Sequence, residues 1–444
     1  MKAFFKYSVF FIFCLPALLF SQNYTLTNGK KHGKVKFQLI NNLVIIPVEV
    51  NGAMLSFILD SGVNKPILFN LLDQDSIAIN NVSEVTIKGL GDKGAIKALK
   101  STNNIFKIGG TTNRKQTLYV IMDEELNLSP RLGVPVHGII GYDLYRDFVV
   151  SINYSSKVLK LYDPEKYVSK KNARTQTLPI QIINKKAYVE GSVTIEDQQQ
   201  IPVKLLVDSG SSDALWLFEN LTKGLDVPEN NYEDFLGQGL SGSVYGKRTK
   251  ISGLSLGEFH LEGIKTAFPD IRYFGSITSM GERNGSLGGE ILKRFTTVFN
   301  FREGTVSLRK NSMFNDPFDF NLSGIDLQHN GMRYISESIA DARGVVVDKE
   351  NSYGDVQILF ANRTRLSLVP EIIVSGIRAG SPGQEAGLQE GDVILAVNGK
   401  KVHNYELQQI IRLLNEKEGK RIKVLVERYD NDILVSYVLK EIFK

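Results

Sequence analysis

The triplet Asp60-Ser61-Gly62 returns at Asp208-Ser209-Gly210, 148 residues later, and it does not return alone. The same offset carries Gly89, Gly91 and Gly94 onto Gly237, Gly239 and Gly242, and residues 106–109 onto 254–257. One residue is then lost. At an offset of 147, residues 137–148 run ungapped against 284–295, followed by 152–154 against 299–301 and 158–161 against 305–308. Glycines and apolar positions match while charges drift, as expected of two units that share a backbone path. A chain with such a period is read first as two copies of one fold.

Each unit reads as mostly β. Residues 44–50 and 54–59 are β-branched or apolar runs joined by Asn51-Gly52, a hairpin-turn dipeptide. In the second unit residues 187–195 and 201–207 play the same parts around Glu196-Asp197. One short helix signal per unit follows the later glycine pair, at residues 142–146 and 290–294. The polar, lysine-rich stretch 163–176 makes a natural boundary between units. At 444 residues the chain exceeds one ordinary core, and its 42% hydrophobic and 23% charged residues are those of a globular protein.

The first 21 residues read as a targeting segment. Lys2 and Lys6 flank a charge-free apolar run, residues 7–20, too short to span a bilayer comfortably and shaped like a secretory signal peptide. Its removal takes two lysines and lowers the formal charge from +5 to +3, too little to imply nucleic acid or an anionic membrane. Cys14, the single cysteine, lies inside that run with apolar residues 15–20 after it, so it does not close the run as a lipidated cysteine would. The mature chain then has no thiol, which excludes thiol catalysis and cysteine metal sites. The five histidines, His32, His137, His260, His329 and His403, lie far apart without metal spacing. His137 faces Asn284 in the repeat and reads as a polar loop residue. No Gly-x-Ser-x-Gly elbow supports a serine hydrolase.

Asp-Ser-Gly alone is a common turn. Here both copies follow an apolar strand and precede another apolar stretch, and buried carboxylates are costly unless paired. A pseudo-two-fold axis would bring Asp60 and Asp208 together on itself. Two carboxylates about 3 Å apart cannot both ionise, so they share a proton. One can then act as general base on a water while the other protonates a peptide carbonyl. Ser61 and Ser209 can hydrogen-bond their neighbouring carboxylates, and Gly62 and Gly210 let the loops approach closely.

Hydrophobic-hydrophobic-Asp-Ser-Gly, followed about 80 residues on by Gly-apolar-apolar-Gly and a short helix, resembles the half-site of the pepsin and retropepsin clan. Residues 208–217 look pepsin-like, and residues 138–144 resemble the retropepsin segment that threads beside the catalytic loop. The resemblance covers residues 35–311 and implies a bilobal acid-protease β-barrel fold, with Asp60 and Asp208 catalytic and Ser61, Gly62, Ser209 and Gly210 supporting. Three positions depart from it. Val63-Asn64-Lys65-Pro66 follows the first triplet instead of a small residue, Ser286 breaks the second apolar pair, and Lys97 stands where the second unit has Tyr245.

Residues 89–94 and 237–242 each fit Gly-x-Gly-x-x-Gly, but residues 95–100 and 243–248 after them look like strands, so the dinucleotide context is absent. In the protease reading Gly89, Gly91, Gly237, Gly239 and Tyr245 belong to hairpin flaps that close over substrate. Plain glycine turns remain the alternative. Trp216, in an apolar run, reads as core.

Beyond residue 310 the repeat stops. Residues 372–400 resemble a PDZ domain: Ser381-Pro382 starts a short helix that Gly387 ends, 392–397 is a strand, and Asn398-Gly399 turns it back. Residues 405–414 carry Leu407, Ile410, Ile411 and Leu414 at helical spacing, fitting the PDZ groove helix, and 421–428 would be the next strand. Ser323, Gly324, Ile325 and Leu327 are the candidate peptide-binding residues, in a groove that takes an extended terminus by strand addition. The insertion at 337–366 has no place in a minimal PDZ domain.

The expectation is thus a mostly β chain: signal peptide 1–21, protease lobes 22–165 and 174–311, and an α+β PDZ domain 320–444. The reading is an exported aspartic endopeptidase, periplasmic or extracellular, with retention at the membrane by its N-terminal run as the alternative; it needs no metal or cofactor, and its partners are peptide or protein substrates and a peptide or protein C-terminus. The alternatives are an inactive peptide-binding adaptor on the same fold, or units that pair with another chain.

Overall fold

A computed structural model describes residues 23–443 except 71–75, 124–125, 170–172, 197–198, 275–281 and 342–360. The signal-peptide expectation lies outside the described residues. Among those described, three β-sheets dominate, of nine, thirteen and six strands. The first holds strands of the first unit only. The second joins the second unit's strands to a platform shared by both units. The third is C-terminal.

Alternation builds the first lobe. Along the strand Leu43–Val50, Val44, Ile46, Val48 and Val50 enter the large core, while Leu43 and Ile45 enter a second cluster on the opposite face. The strand Ala53–Leu59 splits the same way, with Leu55, Phe57 and Leu59 on one side and Ile58 on the other. Asn51 and Gly52 both take positive φ, 49° and 97°, and Val50 pairs with Ala53, the two-residue turn that Asn-Gly favours. The second lobe repeats the split: Ala187, Val189, Val203, Leu205 and Val207 enter the same large core, and the residues between them face away.

The platform carries the two-fold relation. Strand Val149–Asn153 pairs antiparallel with Phe295–Asn300, Val150 opposite Phe299 and Ile152 opposite Thr297. Since 147 residues separate Val150 from Thr297 and Ile152 from Phe299, each pair exchanges into the other, and the axis passes through Ser151 and Val298. Tyr145 of the first unit reinforces the joint, its ring 5.1 Å from Phe301 and 5.4 Å from Phe299.

The C-terminal sheet has its own core, including Ile325, Val374, Ile394, Leu407, Ile410, Leu414 and Val424. Ser381 caps the helix Pro382–Glu385 by accepting the Gln384 N–H, and the groove helix runs Leu407–Leu414. Of the unexplained insertion, residues 342–360 lie outside the described residues, and its described ends belong to two long paired strands. Strands Ile325–Asp341 and Ala361–Ile377 stay paired out to Asp341 and Ala361, and Met332, Tyr334, Leu366 and Leu368 on them are exposed.

Candidate active site

Both Asp-Ser-Gly loops leave a strand that the later glycine pair flanks. Gly138–Ile140 runs parallel to Phe57, Ile58 and Leu59, and Gly285–Leu287 runs parallel to Leu205, Leu206 and Val207. The Asp60 N–H then donates to the Ile140 carbonyl at 2.8 Å, and the Asp208 N–H to the Leu287 carbonyl at 2.9 Å. A Cβ on Gly141 would lie 1.7 Å from the Asp60 carbonyl oxygen, so this position admits only glycine.

The loops meet aspartate to glycine. The Gly62 N–H donates to Asp60 Oδ1 at 2.6 Å and the Gly210 N–H to Asp208 Oδ1 at 3.1 Å. A Cβ on Gly210 would come within 2.3 Å of Asp60 Cγ, and one on Gly62 within 3.3 Å of Asp208 Oδ1. The two carboxylates converge there, since that one Gly62 position lies 3.1 Å from Asp60 Oδ1 as well as close to Asp208 Oδ1. Burial first, and then the Asp208 charge, push Asp60 up to about 8 against the pull of the Gly62 amide and Lys186.

The serines do something other than the sequence suggests. Rather than turning to their own carboxylates, they cross to the opposite loop. Ser61 Oγ donates to the Val207 carbonyl at 2.6 Å and accepts the Ser209 N–H at 3.0 Å. Ser209 Oγ donates to the Leu59 carbonyl at 2.8 Å and accepts the Ser61 N–H at 3.0 Å. Each loop has buried backbone groups left over at the axis, and a hydroxyl both donates and accepts, so two serines satisfy four such groups.

Val63, in place of a small residue, leaves the backbone path unchanged. The Tyr142 N–H donates to the Val63 carbonyl just as the Gly289 N–H donates to that of Ser211. Lys65 pairs with the buried Asp143 at 3.3 Å. His137 lies in a loop, as expected, and is buried there: its Nδ1 accepts the Ser56 N–H at 3.0 Å, while Asn284 Oδ1 accepts the Lys204 N–H at the equivalent place. Their alignment in the repeat was the available signal.

Strands Ser83–Ile87 and Ile96–Ile108 form one glycine-tipped hairpin, and Asn231–Gly239 and Gly242–Leu256 the other. The two tips touch. Gly89 N–H donates to Ser241 Oγ at 2.9 Å, Lys93 N–H to the Ser241 carbonyl at 2.7 Å, and Ser241 N–H to the Leu90 carbonyl at 2.9 Å. A Cβ on Gly239 would meet that same carbonyl at 2.1 Å and one on Gly91 the Ser241 backbone at 2.3 Å, so Gly89, Gly91 and Gly239 line the crossing, whereas Gly237 is open. The leucines exchange lobes. Leu90 packs with Trp216, Leu236, Val244 and Phe274 of the second, and Leu240 against the Leu43, Ile45 and Ile58 cluster of the first. Tyr245 lies in the hairpin but is 47% exposed, against Phe235 and Tyr273. Trp216 is the chain's single tryptophan. Leu90→Ala should therefore uncover it and red-shift its emission in the unligated protein; unchanged emission would mean that the tips are already apart in solution.

Ser323, Gly324, Ile325 and Leu327 are buried, and their turn is spent on the fold: the Ser323 N–H donates to Asn415 and the Gly324 N–H to Asn321. The strand they begin is the edge of its sheet, facing the groove helix. The first lobe reaches that helix, since a Cβ on Gly133 would meet Leu407 Cβ at 2.7 Å. Against the second hairpin, Phe443 stacks on Tyr232 at 5.7 Å and Arg378 lies 4.8 Å over the same ring.

The aspartyl protease family matches residues 46–144 and again 191–291, and the PDZ domain family matches 373–428. Among solved structures, an aspartic proteinase from Irpex lacteus is 14% identical and covers 64% of this chain and 99% of its own, at a TM-score of 0.40. A curated protein named "Probable CtpA-like serine protease", from Staphylococcus haemolyticus, is 34% identical over 58 residues. That match spans 13% of this chain and 12% of the relative, so its serine chemistry stays with that protein.

Proposed function

Because this chain carries two aspartyl protease halves and a C-terminal PDZ domain, we propose that it is an exported aspartic endopeptidase. Asp60 and Asp208 together activate a water and protonate the scissile carbonyl. The observation that carries this reading is the convergence of two carboxylates, one from each half, at the centre of the repeat, where a Cβ on Gly62 would lie 3.1 Å from Asp60 Oδ1 and 3.3 Å from Asp208 Oδ1. The dyad holds one proton between two acids. The acid that keeps it donates to the carbonyl oxygen, and the ionised one takes a proton from water as its oxygen attacks. Neither metal nor covalent nucleophile is required by that scheme. The two crossing hairpins have to part for a polypeptide to enter, and their closure excludes water from the cleft. The N-terminal lysines and apolar run support export, and the PDZ edge strand and groove helix support capture of a peptide or protein terminus.

Hydrolysis of an unfolded protein followed across pH tests the proposal. With Asp60 held up to about 8, the shared proton survives neutrality, so activity should persist to pH 7 and fall through an apparent pKa near 8. It should be blocked by pepstatin and untouched by chelators, thiol reagents and serine reagents. Silence at every pH would instead leave a peptide-binding protein on the same fold. Stability carries the same sign. A carboxyl whose folded pKa is raised contributes stability below its unfolded value near 4 and loses it as pH rises to about 8, so unfolding should become easier across that window.

A further inference from the structure

On the cleft face of the second lobe, a row of side chains runs across four strands. Tyr188 pairs with Leu206, Leu206 with Ser286, and Ser286 with Trp216. Two residues further along the antiparallel pair, the same register sets Lys186 across from Asp208. Side chains alternate along a strand, and Ala187 and Val207 enter the core, so Lys186 and Asp208 share the cleft face. Lys186 lies within electrostatic reach of both Asp60 and Asp208. Arg283 reaches the row from its other side: its Nε donates to the Gly285 carbonyl at 2.9 Å, it hydrogen-bonds Ser286 Oγ, and its guanidinium sits 5.1 Å over the Phe218 ring. Arg283 also feels Asp208. Both cations are half-buried, and neither forms an ion pair with a carboxylate among the described residues.

The first lobe shows that the fold does not require them. By the equivalent register Ile45 faces Ile58, and two residues on, Leu43 stands across from Asp60. Val136 and Ile139 occupy the places of Arg283 and Ser286, 147 residues earlier. Leu43, Ile45, Ile58 and Val136 are all buried in one apolar cluster. Half-burying two cations costs solvation that an apolar pair would not lose. Burial pulls both Lys186 and Arg283 below their ordinary values, as expected of cations that lack a close counter-ion.

Resting on the proteolytic reading above, we propose that Lys186 and Arg283 form an anion-recognising subsite beside the dyad, so that the protein selects polypeptides with an acidic residue on one side of the scissile bond and an apolar residue on the other. The acidic side chain supplies the counter-ion the two cations lack, and the apolar one takes the place of Leu240 on the Leu43, Ile45 and Ile58 cluster when the hairpin tips part.

The test uses the full chain and peptide twins that differ only by Glu or Gln at each position flanking the bond. Wild type should cleave the Glu twin about tenfold faster or more at one position, the worth of a charge-assisted hydrogen bond. Lys186→Met and Arg283→Met should each bring that ratio toward one, and Lys186→Glu should invert it in favour of a Lys twin. Equal rates for the twins would overturn the proposal. So would substitutions that shift the pH profile but leave the ratio intact, which would make the cations tuners of the dyad. Equilibrium binding of the same twins to the Asp60→Asn chain separates the two claims. If wild type cleaves nothing, a Glu preference in binding still supports the subsite while the protease reading fails, and equal binding sinks the subsite itself.

Discussion

Asp60→Asn and Asp208→Asn should each lower peptide hydrolysis by about 10³-fold or more while leaving the protein folded, because catalytic groups that act as a unit fail as a unit. Asn is nearly isosteric with Asp and keeps a carbonyl oxygen where Gly62 N–H or Gly210 N–H donates, at 2.6 and 3.1 Å. It cannot pass a proton. With either carboxylate gone, the remaining acid has no partner with which to divide the roles of base and acid. The double variant should be scarcely worse than either single one. Circular dichroism and cleavage of an unfolded protein, measured on the same samples, decide the matter. Two folded variants that both still cut would remove the dyad assignment. Asp60→Asn also abolishes the raised carboxyl, so the decline in stability between about pH 4 and 8 should flatten in that variant.

The second large effect is on stability. Ser61→Ala removes the donor to the Val207 carbonyl and the acceptor of the Ser209 N–H, and Ser209→Ala does the same to Leu59 and Ser61. Both serines are completely or almost completely buried, so no water replaces the lost partner. Each orphaned backbone group costs about 1–3 kcal/mol, which puts each variant, with two such groups, about 2–6 kcal/mol below wild type in denaturant unfolding. The four bonds form one network, so the double variant should cost clearly less than the sum. Additive losses would mean that the two loops are held independently. A loss in kcat should accompany the instability, since these bonds keep the two carboxylates in register.

Much of this architecture could be read without coordinates because it is repetitive and local. Apolar alternation marked the paired strands, Asn51-Gly52 marked their turn, and matched glycines marked the loops where two backbones pass closely. Glycine is legible in that way since its absence of a Cβ is the property used. The long strand pair on the C-terminal sheet was not legible: residues 325–341 and 361–377 pair far beyond a minimal domain, and nothing in their composition distinguishes a long strand pair from an insertion. Ser323 and Gly324 read from the sequence as peptide-binding residues, but their amides are already taken by Asn415 and Asn321. Whether the Ser323 donor is free depends on a residue nearly a hundred positions away.

The sequence by itself determined that there are two equivalent halves, that each presents an aspartate at the end of an apolar strand, and that glycine is needed beside it. These follow from period, alternation and backbone freedom, all of which are written in neighbouring residues. Tertiary structure alone decided what each half does to the other. Ser61 and Ser209 bond across the axis, Leu90 and Leu240 exchange lobes, and Lys186 comes within electrostatic reach of the two aspartates while Leu43 of the first lobe is buried in an apolar cluster. A hydroxyl, a leucine or a lysine has many possible partners, and only the closure of the fold brings one of them within a few ångströms.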